Sequence, residues 1–163
     1  LIQELTENTV TGGVAMINHA LADLWTGQEA HDLLMHDWYL ALLAAAFGHL
    51  VYIDQPSELY RQHSNNVLGA RTLRKRMQNW IRPYILFAKY WKLIQDSQEQ
   101  AKNLLALPLT TQNKEMIENF VTIMEVPLTE RYKRLRKYGF QKNRAFHTFV
   151  FTTLILTKFA YKE

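Results

Sequence analysis

The sequence predicts a mixed α+β chain that is mostly helical, and three observations support this class. Segments between residues 9 and 62 follow the order strand, helix, strand, strand, which is typical of a mixed sheet. From residue 73 onward, apolar residues recur at steps of three and four, which is helical spacing. The charge divides at the same place, since residues 1–70 hold eight acidic residues against Arg61 alone, whereas residues 71–163 hold 18 basic residues against 7 acidic ones.

Length and composition are those of one ordinary globular domain. The chain has 163 residues, of which 48% are apolar and 21% charged. It contains no cysteine, which excludes disulfides and thiolate metal sites. Because it does not begin with methionine, we expect a piece of a longer protein. We divide it into a first segment, residues 1–70, and a second segment, residues 71–163. Their opposite charges indicate either two functions or two parts that attract each other.

The first segment opens with a predicted strand and a short helix. Residues 9–17 are β-prone, and they include Gly12 and Gly13, where a bulge or a close backbone approach would be tolerated. Asn18 is suited to cap a short helix over residues 19–25, because its side chain accepts from backbone N–H groups of the first turn.

A second helix and two short strands are predicted in the rest of the first segment. Residues 26–34 read as a loop. Residues 36–47 are apolar on all sides, which is typical of a buried helix, and Gly48 is suited to end it. Residues 50–53 and 58–62 then read as strands.

The second segment predicts helices throughout. Their expected ranges are 73–91, 97–107, 111–124, 129–138 and 143–161. Pro83 lies inside the first range and predicts a kink there. Thr129 and Gly139 are suited to begin and to end the fourth helix.

A carboxylate and an imidazole adjoin at the start of the predicted helix 36–47. Asp37 lies in the first turn, where the helix dipole favours a negative charge by about 0.3–1 kcal/mol. A general base must be deprotonated, so this position suits base catalysis, and a plain helix cap is the alternative. His36 is suited to bind a substrate or to lie at the rim of a site. Since His31 and His36 are five residues apart, they do not share one helix face, and a zinc site is not expected.

Arg61 and His63 point to the same side if their segment is extended, because side chains alternate along a strand. Arginine makes bidentate contacts to phosphate oxygens, and histidine binds phosphate or a metal. The alternative is a surface strand with two exposed polar residues.

Four blocks of the first segment together resemble the C-terminal half of family-2 glycosyltransferases. The blocks are Thr11-Gly12-Gly13 with Asn18, His36 to Leu42, Val51 to Pro56, and Tyr60 to Ala70. The likeness is to bacterial enzymes of capsular or cell-wall polysaccharide synthesis, rhamnosyltransferases among them, and it covers residues 9–70. It implies a GT-A fold and an inverting transfer of a sugar, with rhamnose as one candidate. The donor would be a nucleotide diphosphate sugar, and the acceptor a polysaccharide or a lipid-linked chain.

The resemblance also implies roles for single residues. It assigns the general base to Asp37, with His36 in place of the first acid of the more usual Glu-Asp pair. It places His36 and Trp38 near the sugar or the acceptor. Gly12 and Gly13 would line the acceptor side.

The later block carries the predicted donor and metal contacts. The resemblance assigns substrate binding to Arg61 and Asn66, and metal binding to His63. The metal, magnesium or manganese, would be shared with an N-terminal half of the same protein, because no Asp-x-Asp sequence occurs in these residues. The chain alone is therefore predicted to bind donor weakly and to turn nothing over.

The basic residues of the second segment predict a docking function as the competing, non-enzymatic interpretation. Five of them fall within residues 129–138, namely Arg131, Lys133, Arg134, Arg136 and Lys137. Residues 146–156 are apolar but shorter than the ~20 residues of a membrane span. A peripheral contact with an anionic membrane or a protein is predicted, and a solvated basic face of a helix bundle is the alternative. We expect a cytoplasmic location and no nucleic-acid binding, since no such motif is present.

Overall fold

The computed structural model describes residues 1–26, 33–56, 58–59 and 83–161. Within these ranges the chain forms seven α-helices and two short 3₁₀ turns. The helices are α1 (Ile2–Thr6), α2 (His19–Thr26), α3 (His36–Phe47), α4 (Pro83–Lys102), α5 (Thr111–Val121), α6 (Leu128–Tyr138) and α7 (Ala145–Thr157). The 3₁₀ turns are Gly12–Val14 and Asn103–Ala106.

The described residues contain no strand, so the predicted α+β class and the GT-A mixed domain are wrong. The predicted strand over residues 9–17 contains a 3₁₀ turn, in which the N–H of Val14 donates to the carbonyl of Thr11 at 3.1 Å. Residues 50–53 are exposed and carry no regular structure. The predicted strand 58–62 is described only at its first two residues. High β-propensity expresses fit to a half-buried, paired surface, and the described ranges supply no strand to pair with.

Helix α3 is the buried helix that the sequence predicts, and its bounds are confirmed. Six of its side chains are buried, namely Trp38, Tyr39, Ala41, Leu42, Leu43 and Ala46. A side chain of the second segment holds its C-terminal end, since Asn113 Nδ2 on α5 donates to the carbonyl of Ala46 at 2.9 Å. This bond satisfies one of the carbonyls that the end of a helix leaves unpaired.

Helix α4 is longer than the sequence predicts. Residues 97–102 continue the helix that begins at Pro83 and do not form a new one, and the 3₁₀ turn Asn103–Ala106 follows directly. The residues before Pro83, where the predicted kink would begin, lie outside the described ranges. Trp91 and Ile94 are buried on one face of α4, in the same hydrophobic core as α3.

The two segments share one hydrophobic core. Helix α1, which the sequence did not predict, packs against both α3 and α4, and its Leu5 is fully buried. Polar bonds join α1 to the loop before α7: Thr6 Oγ1 donates to the carbonyl of Gln141 at 2.5 Å, and the N–H of Asn143 donates to Glu7 Oε2 at 2.9 Å. The opposite charges of the two segments therefore accompany direct packing between them.

The helix ends show which local signals decide the boundaries. Asn18 Oδ1 accepts from the N–H of Leu21 at 3.0 Å, which confirms its capping role. Gly139 ends α6 with φ +67°, in the left-handed region where glycine carries no steric penalty, as predicted. The predicted start at Thr129 is wrong, because α6 begins at Leu128 directly after Pro127.

Helices α5 and α6 are joined by an exposed ion pair whose contribution to stability should depend on pH. Glu115 accepts from Lys137 Nζ at 2.8 Å and from the Tyr138 hydroxyl at 2.7 Å. The bonds from Lys137 and then Tyr138 hold the pKa of Glu115 below its ordinary value of 4.5. A carboxyl group whose pKa is lowered by folding stabilises the fold above its unfolded pKa, and this stabilisation is lost as pH falls through the lowered value.

We therefore expect Glu115→Gln to reduce the free energy of unfolding at neutral pH. The difference from wild type should shrink as pH falls below 4.5 through the lowered pKa. Denaturant unfolding at a series of pH values measures it, with Glu118→Gln, an exposed glutamate of the same helix, as the control. If the free energy of unfolding of wild type exceeded that of Glu115→Gln by the same amount at every pH, the stabilising role of ionised Glu115 would be contradicted.

Candidate functional site

The carboxylate of Asp37 is the centre of the candidate site. Met35 is the N-cap of α3, so Asp37 is the second residue of the helix. Its Oδ2 accepts from the N–H of Gly12 at 3.1 Å. Its Oδ1 accepts from Asn8 Nδ2 at 3.3 Å and from the N–H of Trp38 at 2.7 Å. The bond from Gly12 thus joins the start of α3 to the 3₁₀ turn Gly12–Val14, since Gly12 lies 25 residues before Asp37 in the chain.

Gly12 lies against both His36 and Asp37. A Cβ atom at position 12 would come 3.2 Å from His36 Nε2 and 3.4 Å from Asp37 Cβ. The imidazole of His36 is exposed beside the half-buried carboxylate. Three residues that the sequence assigned to one site, Gly12, His36 and Asp37, are therefore brought together.

Glu58 is a further acidic residue of this site, and the sequence analysis missed it. A Cβ atom at Gly13 would come 3.1 Å and 3.2 Å from the two carboxylate oxygens of Glu58. The 3₁₀ turn thus lies between two carboxylates, with Asp37 beside Gly12 and Glu58 beside Gly13. No sequence signal marks Glu58, because it stands alone in a polar stretch and approaches Gly13 only through the fold.

Trp38 lies beneath the site and is 4% exposed. Its Nε1 donates to the carbonyl of Glu4 on α1 at 2.7 Å. The Glu4 carboxylate is also buried, and it accepts from the N–H of Thr9 at 3.3 Å and from the Thr9 hydroxyl. This chain of bonds fixes α1 and residues 8–12 against α3. The role of Trp38 in substrate contact stays a prediction, and the structure shows a supporting role.

The predicted donor and metal contacts lie outside the described residues. Arg61, His63 and Asn66 belong to the range 60–82, so their placement relative to Asp37 stays a prediction. Among the residues that the structure does describe, no group of three or more His, Asp or Glu side chains is placed to hold a metal ion. These residues by themselves do not fit a magnesium or manganese site.

A short stretch of the chain is similar to a sugar transferase. It is 48% identical over 42 residues to the dTDP-rhamnosyl transferase RfbG of Shigella flexneri. The matched stretch covers 25% of this chain and 14% of the length of that enzyme. No family model and no solved structure matches the chain. The similarity is therefore local, and the matched stretch spans only a small part of the length of that enzyme.

The basic residues of α6 mostly bind other parts of the same chain. Arg131 is buried and donates to three backbone carbonyls, and Arg134 Nη1 donates to Thr122 Oγ1 at 2.9 Å. Lys137 pairs with Glu115, as described above, and Lys133 with Glu130 at 3.5 Å. Arg131 is thus unavailable to an anionic partner, whereas Lys133, Arg136 and Lys137 are exposed. Within the described ranges, every helix is too short or too polar to cross a membrane.

Proposed function

We propose that this chain is part of a glycosyltransferase in which Asp37 is the general base. The observation that carries the proposal is the 48% identity over 42 residues to a dTDP-rhamnosyl transferase. The geometry supports it, because the half-buried carboxylate of Asp37 is held in place by two donors from earlier in the chain. These are the side-chain amide of Asn8 and the backbone N–H of Gly12. The proposed donor is a nucleotide diphosphate sugar, with dTDP-rhamnose as the first candidate.

The hydrogen bonds of Asp37 leave room for one more proton donor. An ionised carboxylate offers about four acceptor positions, two on each oxygen. On Oδ1, Asn8 and the N–H of Trp38 use two of these, whereas on Oδ2 only the bond from Gly12 is described. We assign the remaining position of Oδ2 to the hydroxyl of the sugar acceptor.

The proposed reaction is a single displacement with inversion at the sugar carbon. The acceptor hydroxyl oxygen attacks the anomeric carbon while its proton passes to Asp37. The bond from that carbon to the nucleotide diphosphate breaks, and the diphosphate leaves with the electron pair. His36, exposed beside Asp37, is proposed to hydrogen-bond a hydroxyl of the bound sugar.

Turnover of the nucleotide sugar tests the proposal. The full-length protein that contains this chain would be incubated with dTDP-rhamnose and lipid-linked acceptors extracted from bacterial membranes, and the release of dTDP would be measured. We expect release that depends on the acceptor, and slower release from sugars carried on UDP. A folded full-length protein that consumes no nucleotide sugar with any acceptor would contradict the proposal.

The paired glycines should respond differently to alanine, and this difference tests the site geometry. At position 12 the new methyl group would press on the imidazole of His36, at 3.2 Å, and would lie at an ordinary contact distance of 3.4 Å from Cβ of Asp37, which is fixed to the helix. At position 13 it would meet only the carboxylate end of Glu58, an exposed and flexible side chain. Because small displacements of a catalytic group are costly, we expect Gly12→Ala to lower kcat by about tenfold.

Gly13→Ala is the comparison variant, and its kcat should fall less than that of Gly12→Ala. The two substitutions have the same chemistry and differ only in the neighbour that the methyl group meets. Equal losses of kcat in both variants, or a larger loss in Gly13→Ala, would contradict the placement of Asp37 beside Gly12.

A further inference from the structure

The start of α3 is held by a buried glutamine of α4. Gln100 is 2% exposed, and both polar atoms of its side-chain amide are used. Its Nε2 donates to the carbonyl of Met35 at 2.9 Å, and its Oε1 accepts from the N–H of Leu34 at 3.1 Å. The amide thus binds the backbone on both sides of the peptide bond between Leu34 and Met35.

This backbone leads directly to the proposed general base. Met35 is the N-cap of α3, and its carbonyl also accepts the first helical bond, from the N–H of Tyr39 at 3.1 Å. Asp37 follows two residues later. The side chain of Met35 provides no cap bond at this end of α3. Gln100, which comes from a different part of the sequence, therefore holds the backbone before Asp37, while Asn8 and Gly12 hold the Asp37 carboxylate itself.

We infer that Gln100 is a positioning residue for the transfer reaction. It fixes the start of α3, and it thereby sets the position of the Asp37 carboxylate relative to Gly12 and to the bound acceptor. The inference rests on the proposed function for the reaction itself. It adds a residue from the second segment, beyond the range that the family resemblance covers.

Gln100→Met is the variant that tests the inference. Methionine has nearly the same length and a similar helix propensity, so it removes both hydrogen bonds with little change in volume. We expect kcat to fall by tenfold or more, because misplacement by about 1 Å costs up to 10²-fold, while the KM for the donor changes less than twofold. The amide NMR signals of Gly12 and Asp37 should shift in the same variant.

Gln98→Met is the matched control on the same helix. Gln98 also bonds to backbone, since its Nε2 donates to the carbonyls of Phe120 and Val121 at 2.9 and 3.1 Å. These carbonyls lie at the C-terminal end of α5. The control therefore loses a partly buried contact with a helix end without touching the start of α3. Its kcat and the Gly12 and Asp37 signals should remain close to wild type.

Gln100→Glu provides a second test if the methionine variant does not fold. Its carboxylate would repel the Met35 carbonyl, whereas its protonated form would donate to that carbonyl and accept from Leu34, as glutamine does. We expect its kcat relative to wild type to recover as pH is lowered. A loss that came only from altered packing, and not from these two hydrogen bonds, would not recover in this way.

The outcomes separate the inference from the proposed function. An inactive wild-type protein would contradict the proposed function and therefore also the inferred role of Gln100. An active wild-type protein with equal kcat losses in Gln100→Met and Gln98→Met, or no recovery of Gln100→Glu at lower pH, would contradict only the inference. A selective loss in Gln100→Met with an unchanged KM would support both.

Discussion

Replacing Asp37 by asparagine should nearly abolish sugar transfer while the protein remains folded. General base catalysis contributes about 10²–10⁴-fold, and an amide cannot accept the acceptor proton, so we expect kcat to fall by that factor. Asparagine has the same shape, and its single oxygen can keep the bonds from Asn8 and from the N–H of Trp38. The bond from Gly12 would be lost, at a cost of about 1 kcal/mol. Rate measurements beside thermal unfolding of the same preparation would check both parts.

Asp23→Asn is the matched control for this change of charge. Asp23 is an exposed carboxylate on α2 that pairs with His19 at 2.8 Å. Its replacement should leave kcat unchanged and alter stability by no more than the ~0.5 kcal/mol typical of surface substitutions. If Asp37→Asn instead kept its transfer rate and lost stability, the carboxylate would serve only to hold residues 8–12 on α3.

Local signals in the sequence predicted most of the helices, and they predicted the arrangement around them poorly. The bounds of α3 follow from a continuous apolar run that ends at glycine. Gly139 ends α6 because glycine adopts the left-handed conformation without a steric penalty. The predictions of strands over residues 9–17 and 50–53 were wrong because a strand forms only beside a partner strand. The β-propensity of a segment carries no information about that partner. Helix α1 was missed because five residues are too few for a periodic pattern.

The candidate site shows the same division. Asp37, His36 and Gly12 were found because a resemblance of sequence blocks pointed to them, and the fold brings these three together. Glu58 and Gln100 were missed, since each approaches the site from a distant part of the chain. A single buried glutamine in a long helix gives no signal in the sequence of which backbone groups its amide will bind.

Arg131→Met should destabilise the protein by about 3 kcal/mol, which is a large fraction of the ~5–15 kcal/mol that holds a domain folded. The Arg131 side chain is 8% exposed, and its Nε donates to the carbonyl of Val126 at 2.8 Å. Its Nη1 donates to the carbonyls of Ile155 and Leu156, both at 2.9 Å. Methionine would leave all three carbonyls, including the two at the end of α7, without their charged donor. The midpoint of denaturant unfolding would measure the loss.

Arg136→Met on the same helix removes the same charge from an exposed position. We expect its effect to stay near the ~0.5 kcal/mol of ordinary surface substitutions. Arg131→Lys should fall between the two, because lysine keeps the charge but lacks the planar group that reaches three carbonyls at once. If the unfolding midpoints of Arg131→Met and Arg136→Met coincided, Arg131 would not be a structural residue.

The same pair of variants bears on the competing interpretation, a basic docking module. If the charge of α6 served an anionic surface, Arg131 and Arg136 would contribute alike to binding of anionic vesicles, at about 1 kcal/mol each. The structure instead uses Arg131 to hold the end of α7 and Arg134 to bind Thr122 beside the end of α5, while Lys133 and Lys137 pair with glutamates. Arg131 and Arg134 therefore serve helix packing, because the carbonyl ends of neighbouring helices favour cationic donors.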